Sequence, residues 1–258
     1  MKILSFPLHD GVEALLTTRL GGLSRGPFRW ANMGKVEGEP EEVTQSNWDR
    51  LFQVQALSLS PQGVARVHQV HGNQVRMIRG QDDLALPRPQ ADGLASCYRP
   101  AALAILVADC APIYLVDPSA GTLGLVHAGW RGTAAGILPR ALQAMEEMGA
   151  RMKKIHAFIG PHIRSCCYEV GEEVVRAVAQ GAGLREKDVA VGRFGRLYLE
   201  LSRAQRAQLR QAGVPEGQIR ESPLCTGCRT DLLYSYRAEG GRTGRMAALL
   251  RWHQETEA

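Results

Sequence analysis

Leu103-Ala104-Ile105-Leu106-Val107-Ala108-Asp109-Cys110-Ala111-Pro112-Ile113-Tyr114-Leu115-Val116-Asp117-Pro118-Ser119-Ala120-Gly121-Thr122-Leu123-Gly124-Leu125-Val126-His127 is the stretch that decides the fold. An apolar run reaches Asp109, Pro112 interrupts it, Ile113 to Val116 resumes it, and Asp117 to Gly121 is a turn sequence before Thr122 to His127 returns. Two such runs about a turn pair as an antiparallel hairpin. The positions facing Cys110 then lie near His127, within roughly 4.5 to 8 Å across the ladder. Proline cannot donate to a ladder, so Pro112 implies a bulge or an edge. The run is short of a membrane span and contains Asp109, so it belongs to a core.

Working outward, Val12 to Thr18 reads as a strand that stops at the glycine-rich turn Gly21 to Pro27, which has the look of a binding loop. Residues 40 to 55 open with Pro40, Glu41 and Glu42 and space Val43, Trp48, Leu51 and Phe52 at helical period. Val64 to Ile78 is expected to be extended, and Gly80 to Asp92 to be a surface loop. Further helices are expected at 139 to 148, with Pro139 in the first turn, at 171 to 180, and at 202 to 212 with Ser202 as cap. The irregular alternation makes the chain α/β (α+β), with mixed β-sheets and flanking helices. No linker or charge block divides residues 1 to 258, so one domain is expected.

Thirty-one Lys and Arg stand against 26 Asp and Glu, a net charge of +5 that is scattered rather than clustered. That balance suits an anionic small molecule better than a nucleic acid, and no nucleic-acid signature is present. Pro7, His9 and Asp10 break the amino-terminal apolar stretch before it reaches secretory length. A cytoplasmic, reducing location is therefore expected, in which the six cysteines are thiols or metal ligands. No Gly-x-Gly-x-x-Gly opens a helix, and no Walker-type loop occurs.

Catalytic zinc takes three protein ligands and keeps an open position for water. Cys110 and His127 supply two donors, and His68-Gln69-Val70-His71-Gly72-Asn73 is the natural source of a third. Strand alternation would let only one of His68 and His71 point at the site, and Gly72 would allow close approach beside His71. Without a metal, the same Cys110 and His127 would make a nucleophile and base, so a Cys/His hydrolase stays open. Asp109 could orient a ligand histidine or cap a turn. Arg131, within Gly129-Trp130-Arg131-Gly132, and Arg19 could hold a phosphate or pair on the surface.

Cys225-Thr226-Gly227-Cys228 is one Cys-x-x-Cys without a second, which favours free thiols or a disulfide over a zinc ribbon. The zinc nucleobase deaminases place a His-x-Glu before a Pro-Cys-x-x-Cys. Here His253-Gln254-Glu255 comes after Cys228, so that reading fails on order.

Ordered segments along nearly the whole chain carry a resemblance. They include Thr17 to Phe28, Asn32-Met33-Gly34, Gln69 to Gly72, Ala91-Asp92-Gly93, Ala108 to Pro112, His127 to Gly132, Ile159-Gly160-Pro161, Cys167 to Val170, Cys225-Thr226, Ser235-Tyr236-Arg237 and Thr243 to Ala247. In these the chain resembles the YfiH-like proteins, first labelled multicopper polyphenol oxidoreductases or laccases and later understood as purine nucleoside phosphorylases that also deaminate adenosine. The resemblance implies a domain similar to the catalytic domain of cytotoxic necrotizing factors, with zinc on His71, Cys110 and His127. It implies phosphorolysis of adenosine, inosine, guanosine and methylthioadenosine, and deamination of adenosine. A monomer or homodimer that binds no membrane is expected. Asp109 and Glu169 join the catalytic candidates. Arg19, Asn32, Arg131 and Tyr168 are the substrate and phosphate candidates, and Glu169 or Tyr168 would donate a proton unless they only pack and cap. Copper could occupy the same three donors. A laccase-like polyphenol oxidase is therefore the rival enzyme, although seven histidines without a His-x-His pair are few for a multicopper cluster.

Overall fold

The hairpin of the opening stretch sits in the middle of a layered structure, in a computed structural model that describes residues 1–54 and 59–253. Residue 55 of the expected first helix, and Gln254 and Glu255, lie outside the described residues. One sheet has the order β1 (Ile3–Phe6), β2 (Val12–Thr17), β14 (Met246–Trp252), β6 (Ala102–Val107), β3 (Val64–Ala65). A second has the order β13 (Ile219–Glu221), β9 (His156–Ile159), β7 (Ala111–Asp117), β8 (Thr122–Ala128), β5 (Gly93–Ser96), β4 (Val75–Ile78). A small third sheet has the order β10 (Glu169–Val170), β12 (Arg196–Leu199), β11 (Ala190–Arg193). The helices are α1 (Glu41–Phe52), α2 (Gln81–Ala85), α3 (Trp130–Ala134), α4 (Ile137–Glu146), α5 (Glu172–Gly181), α6 (Glu186–Val189) and α7 (Leu201–Gln211).

Alternating side chains build the layers. Tyr114, Val116, Leu123 and Leu125 of the hairpin face Leu16, Leu103, Ile105 and Leu250 of the first sheet in one core. Ile113, Leu115, Val126 and Ala128 point the other way, onto Leu138, Ala141 and Leu142 of α4. The outer face of the first sheet, with Leu15, Ala104 and Leu249, is closed by Trp48 and Leu51 of α1. The order is helix, sheet, sheet, helix. A strand buried on both faces has no need of polar residues at alternate positions, which is why this run is almost wholly apolar. Tyr114 brings its hydroxyl into the core and donates it to the Leu15 carbonyl at 2.7 Å, as a buried phenol must.

The hairpin forms where expected, with Asp117 opposite Thr122 and Ala111 opposite Ala128. Asp117 Oδ1 accepts from Ser119 N–H and Oγ–H and from Ala120 N–H, which closes the turn. Pro112 makes neither a bulge nor an edge. The register with β8 runs through it unbroken, and it stands at the strand's opening, one step outside the ladder with β9 that begins at Ile113. A missing N–H costs little there. The preceding run leaves the first sheet at Val107 and enters the second at Ala111, so Asp109 and Cys110 lie at the ends of both sheets.

Three other expectations change. Val64 to Ile78 is not one strand: β3 and β4 flank an irregular stretch. The 80 to 92 loop contains α2, from which the Asp83 carboxylate reaches back to accept the N–H groups of Arg79 and Gly80 just before the helix. Ser202 lies inside α7 rather than capping it, with its Oγ–H on Glu200. In the Gly21 to Pro27 turn only Ser24 is buried, its N–H on the Trp30 carbonyl, and Leu23 N–H meets the Asn47 side chain, while Gly21, Leu23, Arg25, Gly26 and Pro27 face outward. A Cβ on Gly22 would lie 2.4 Å from Ala31 Cα, so glycine serves close backbone packing.

Candidate metal centre

Cys110 directly precedes the hairpin ladder, and His127 is the ladder partner of Pro112, so two residues and one strand spacing bring them together. Gly129 completes the fit, because a Cβ there would stand 2.6 Å from Cys110 Sγ. His71 arrives by another route. Gln69 clamps its segment to β6, donating Nε2–H to the Leu106 carbonyl at 2.8 Å and accepting Leu106 N–H at 2.7 Å. The Asp92 carboxylate then accepts the N–H groups of Val70, His71 and Gly72 in succession. This holds His71 at φ 60°, a left-handed conformation uncommon for a side chain other than glycine. Strand alternation therefore has no bearing on His68 and His71. One donor atom from each of His71, Cys110 and His127 lies within 4.8 Å of the others.

The carboxylate that orients a histidine is Asp92, not Asp109. Asp92 Oδ1 lies 2.8 Å from His127 Nδ1. An Nδ1–H held by a carboxylate leaves Nε2 as the donor toward the centre. Asp109, at φ 89°, ties chain segments together: Oδ1 accepts the Thr226 hydroxyl at 2.6 Å and Oδ2 the Arg237 N–H at 2.7 Å. Asp92 had a signal in the sequence. It is a lone carboxylate between Ala91 and the apolar Gly93-Leu94-Ala95, and a buried charge must find donors.

The electrostatics follow from these contacts. Burial pushes the Cys110 thiol up, but His127 and His71 beside it outweigh burial and bring it down to about 6. Burial pulls His127 down, yet Cys110 and Asp92 raise it to about 9. For Asp92 also, burial is outweighed, by His127 and the Gly72 and Val70 N–H groups, and its carboxyl falls below the usual range. Two imidazoles and a thiol inclined to ionise are a zinc or copper donor set, and three protein ligands are the number found at catalytic zinc.

The trio lines a cavity of about 980 Å³. Lys35, Arg66, Arg88, Arg131, Arg237 and Arg245 line it as well, with the aromatic rings of Trp130, Tyr168 and Tyr236. Arg131 lies 4.4 Å above the Trp130 ring and makes no ion pair among the described residues. Burial, and after it the charge of Cys110, raises the Tyr168 phenol, so it stays protonated.

Three site candidates lie away from the cavity lining. Arg19 is 5% exposed and spends its guanidinium on the Arg29 and Thr230 carbonyls and on Glu239. Asn32 is fully buried between Gly34, Glu39 and Arg245. Glu169 pairs with Arg196 at 3.0 Å in a neighbouring depression.

Residues 13–253 match the family model described as Multi-copper polyphenol oxidoreductase laccase. The chain is 40% identical to a protein of Deinococcus radiodurans named purine nucleoside phosphorylase, over 93% of this chain and 88% of that one. It is 37% identical to purine nucleoside phosphorylase YlmD of Geobacillus stearothermophilus, over 96% and 93%. Among solved structures, Bacillus licheniformis hypothetical protein YfiH superposes with a TM-score of 0.90 at 30% identity, over 97% and 96% of the two chains. The Geobacillus YlmD structure gives 0.87 at 34%, over 96% and 94%. Among the described residues, no helix is long and apolar enough to cross a membrane.

Proposed function

The chain belongs to the multi-copper polyphenol oxidoreductase laccase family, and from that premise we propose that it is a zinc-dependent purine nucleoside phosphorylase that also deaminates adenosine. The observation that carries this reading is the His71, Cys110 and His127 trio in a cavity lined by cations, in a chain 40% identical to a purine nucleoside phosphorylase. The substrates are adenosine, inosine, guanosine and methylthioadenosine, with phosphate or water as co-substrate. A cavity of about 980 Å³ accommodates a nucleoside with an anion beside it.

His71, Cys110 and His127 would hold the zinc. When bound, the metal supplies Lewis-acid activation of an oxygen nucleophile. Arg131, with its guanidinium free of other carboxylates among the described residues, holds phosphate oxygens against ribose C1′ through its planar fork. In phosphorolysis the C1′–N9 bond breaks, a C1′–oxygen bond to hydrogen phosphate forms, and the departing purine takes up the proton that hydrogen phosphate gives up. Tyr168 Oη, protonated and lining the cavity, donates a hydrogen bond to that leaving base, whereas Glu169 is engaged by Arg196. Anion positioning and leaving-group stabilisation supply most of the rate for a transition state of this charge. In deamination a water oxygen ends on purine C6 and ammonia leaves. Six free cysteines accord with a reducing, cytoplasmic setting.

One observation favours a second reading. A thiol at about 6 beside an imidazole at about 9 is an ion pair near neutral pH, the arrangement of a Cys/His nucleophile. The test is to incubate zinc-loaded protein with adenosine, with and without phosphate, and separate the products. Adenine and ribose 1-phosphate formed only with phosphate, and inosine in both, are expected. Unchanged adenosine in both tubes overturns the nucleoside reading and leaves the Cys/His hydrolase or a zinc-stabilised binding module.

A further inference from the structure

Four of the six cysteines converge at a place the cavity chemistry does not use. One sulfur from each of Cys166, Cys167, Cys225 and Cys228 lies within 4.8 Å of the others, and all four are free thiols. Cys228 Sγ stands 3.4 Å from both Cys166 Sγ and Cys167 Sγ. Four sulfurs arranged tetrahedrally about a zinc ion at about 2.3 Å would be roughly 3.8 Å apart. A disulfide engages two sulfurs and gives no reason for four to meet.

The fold explains the meeting. β9 and β13 run parallel, so the chain segments that leave them at Ile159 and Glu221 travel side by side. The pairing continues past the strands: His162 bridges Cys225, and Thr226 N–H donates to the His162 carbonyl. The Cys-Cys pair after His162 thus lands against the Cys-x-x-Cys turn. That turn is shaped around sulfur. A Cβ on Gly227 would stand 2.8 Å from Cys167 Cβ and 3.1 Å from its Sγ, so only glycine admits Cys167 there. Arg164 N–H points at Cys225 Sγ from 3.4 Å, a contact that favours a ligating sulfur. Glu200 accepts both the N–H and the hydroxyl of Ser165 and holds the loop that presents Cys166. Cys225 is buried while Cys166 and Cys228 are exposed, which leaves the ion a way in.

We propose that Cys166, Cys167, Cys225 and Cys228 form a closed tetrathiolate site for a structural zinc ion, separate from the His71, Cys110 and His127 centre. Binding is not a redox step: the thiols release their protons and each sulfur forms one bond to the metal. The ion clips together the segments following β9 and β13. Both segments reach the cavity, because Tyr168 follows Cys167 and lines it, and Thr226 follows Cys225 and holds Asp109 next to Cys110. The clip is thereby a positioning element for one wall of the cavity.

The deciding experiment counts metal in a His71→Ala, Cys110→Ser variant, whose first centre is dismantled whatever it holds. We expect one zinc per chain to survive dialysis, and cobalt in its place to give the intense sulfur-to-metal charge-transfer band of a tetrahedral thiolate site. Cys166→Ser with Cys228→Ser, in the otherwise native chain, should lose one zinc equivalent and raise the KM for nucleoside more than it lowers kcat. No retained zinc in the His71→Ala, Cys110→Ser protein, with all four thiols reacting freely with a maleimide in zinc-containing buffer, overturns the proposal. So does recovery of the four cysteines as disulfides from protein purified under reducing conditions. The first count stands even where the double serine variant does not fold.

Discussion

Cys110 and His127 owe their positions to backbone pairing, whereas His71 owes its position to two side chains, Gln69 and Asp92. The hairpin would bring its two residues together whatever stood at position 92, because the ladder from Asp117 to Ala111 sets the distance. The His71 segment has only a single bridge, His68 beside Gln90, three residues before His71. Beyond the Gln69 clamp it depends on three N–H groups converging on the Asp92 carboxylate, and that carboxylate also orients His127. One buried charge thus joins the rigid half of the centre to the irregular half, and its removal should loosen the irregular half first.

The sharpest way to break this comparison is Asp92→Ala. It strands three N–H groups and the His127 Nδ1–H, so zinc affinity should fall by about 100-fold, the upper range for losing a residue that supports a metal ligand. Competition with a chromophoric chelator measures it. Asp92→Asn, which keeps the shape and loses the charge, should fall between the variant and the native protein. Unchanged affinity in both would dissolve the distinction between the two halves.

Leu123→Ala probes the ladder side. Leu123 is buried in the core between the two sheets, and its truncation should cost about 2 to 5 kcal/mol of stability. Denaturant unfolding reads that loss, while zinc affinity of the folded variant should stay near native. A comparable drop in affinity would mean that the hairpin is less autonomous than its pairing indicates.

Arg131 and Arg19 offer a smaller contrast. Loss of a charge-assisted hydrogen bond of about 1.5 kcal/mol raises the KM for phosphate roughly tenfold in Arg131→Ala, with Tm little changed. Arg19→Ala should do the reverse, because its guanidinium binds two carbonyls and Glu239 inside the structure. Steady-state kinetics with varied phosphate, beside thermal melts, separates the two.

The smallest effect expected is at the far end of the hairpin. Burial pushes the Asp117 carboxyl up, but its Ser119, Arg151 and Ala120 donors outweigh burial and hold it below the usual range. A carboxyl depressed on folding stabilises the native state above its unfolded pKa of about 3.9, and that stability drains away as pH falls through the folded value. Asp117→Asn should flatten the stability profile below about pH 4 and leave the profile near neutrality parallel to that of the native chain. An unchanged acid limb would show that the turn does not depend on the ionised carboxylate.

Local order made the hairpin legible. A turn sequence between two β-rich runs fixes both pairing and register, and Cys110 and His127 follow from it. The helices at 41–52, 137–146, 172–181 and 201–211 were legible for the same reason, since their periodicity is a property of neighbours in the chain. The His68 to Asn73 stretch reads as a strand because nothing in its residues announces that a carboxylate twenty positions later will bend it. Asp109 drew attention by standing next to Cys110, while Asp92 does the orienting from another strand's entrance. Arg19 and Asn32 have the chemistry of ligand binding, but three-dimensional packing consumes their donors. The four-cysteine cluster was hidden because Cys166-Cys167 and Cys225-x-x-Cys228 are far apart in sequence and meet only through the parallel pairing of β9 with β13.

In the proposed function the centre made from both halves works only with its metal. The measurement that tests it most directly follows adenine release from adenosine and phosphate by native protein, then by chelator-treated protein, then by the same protein reloaded with zinc. Activity should disappear with the metal and return with it. A full rate retained after complete removal of the metal would contradict that dependence.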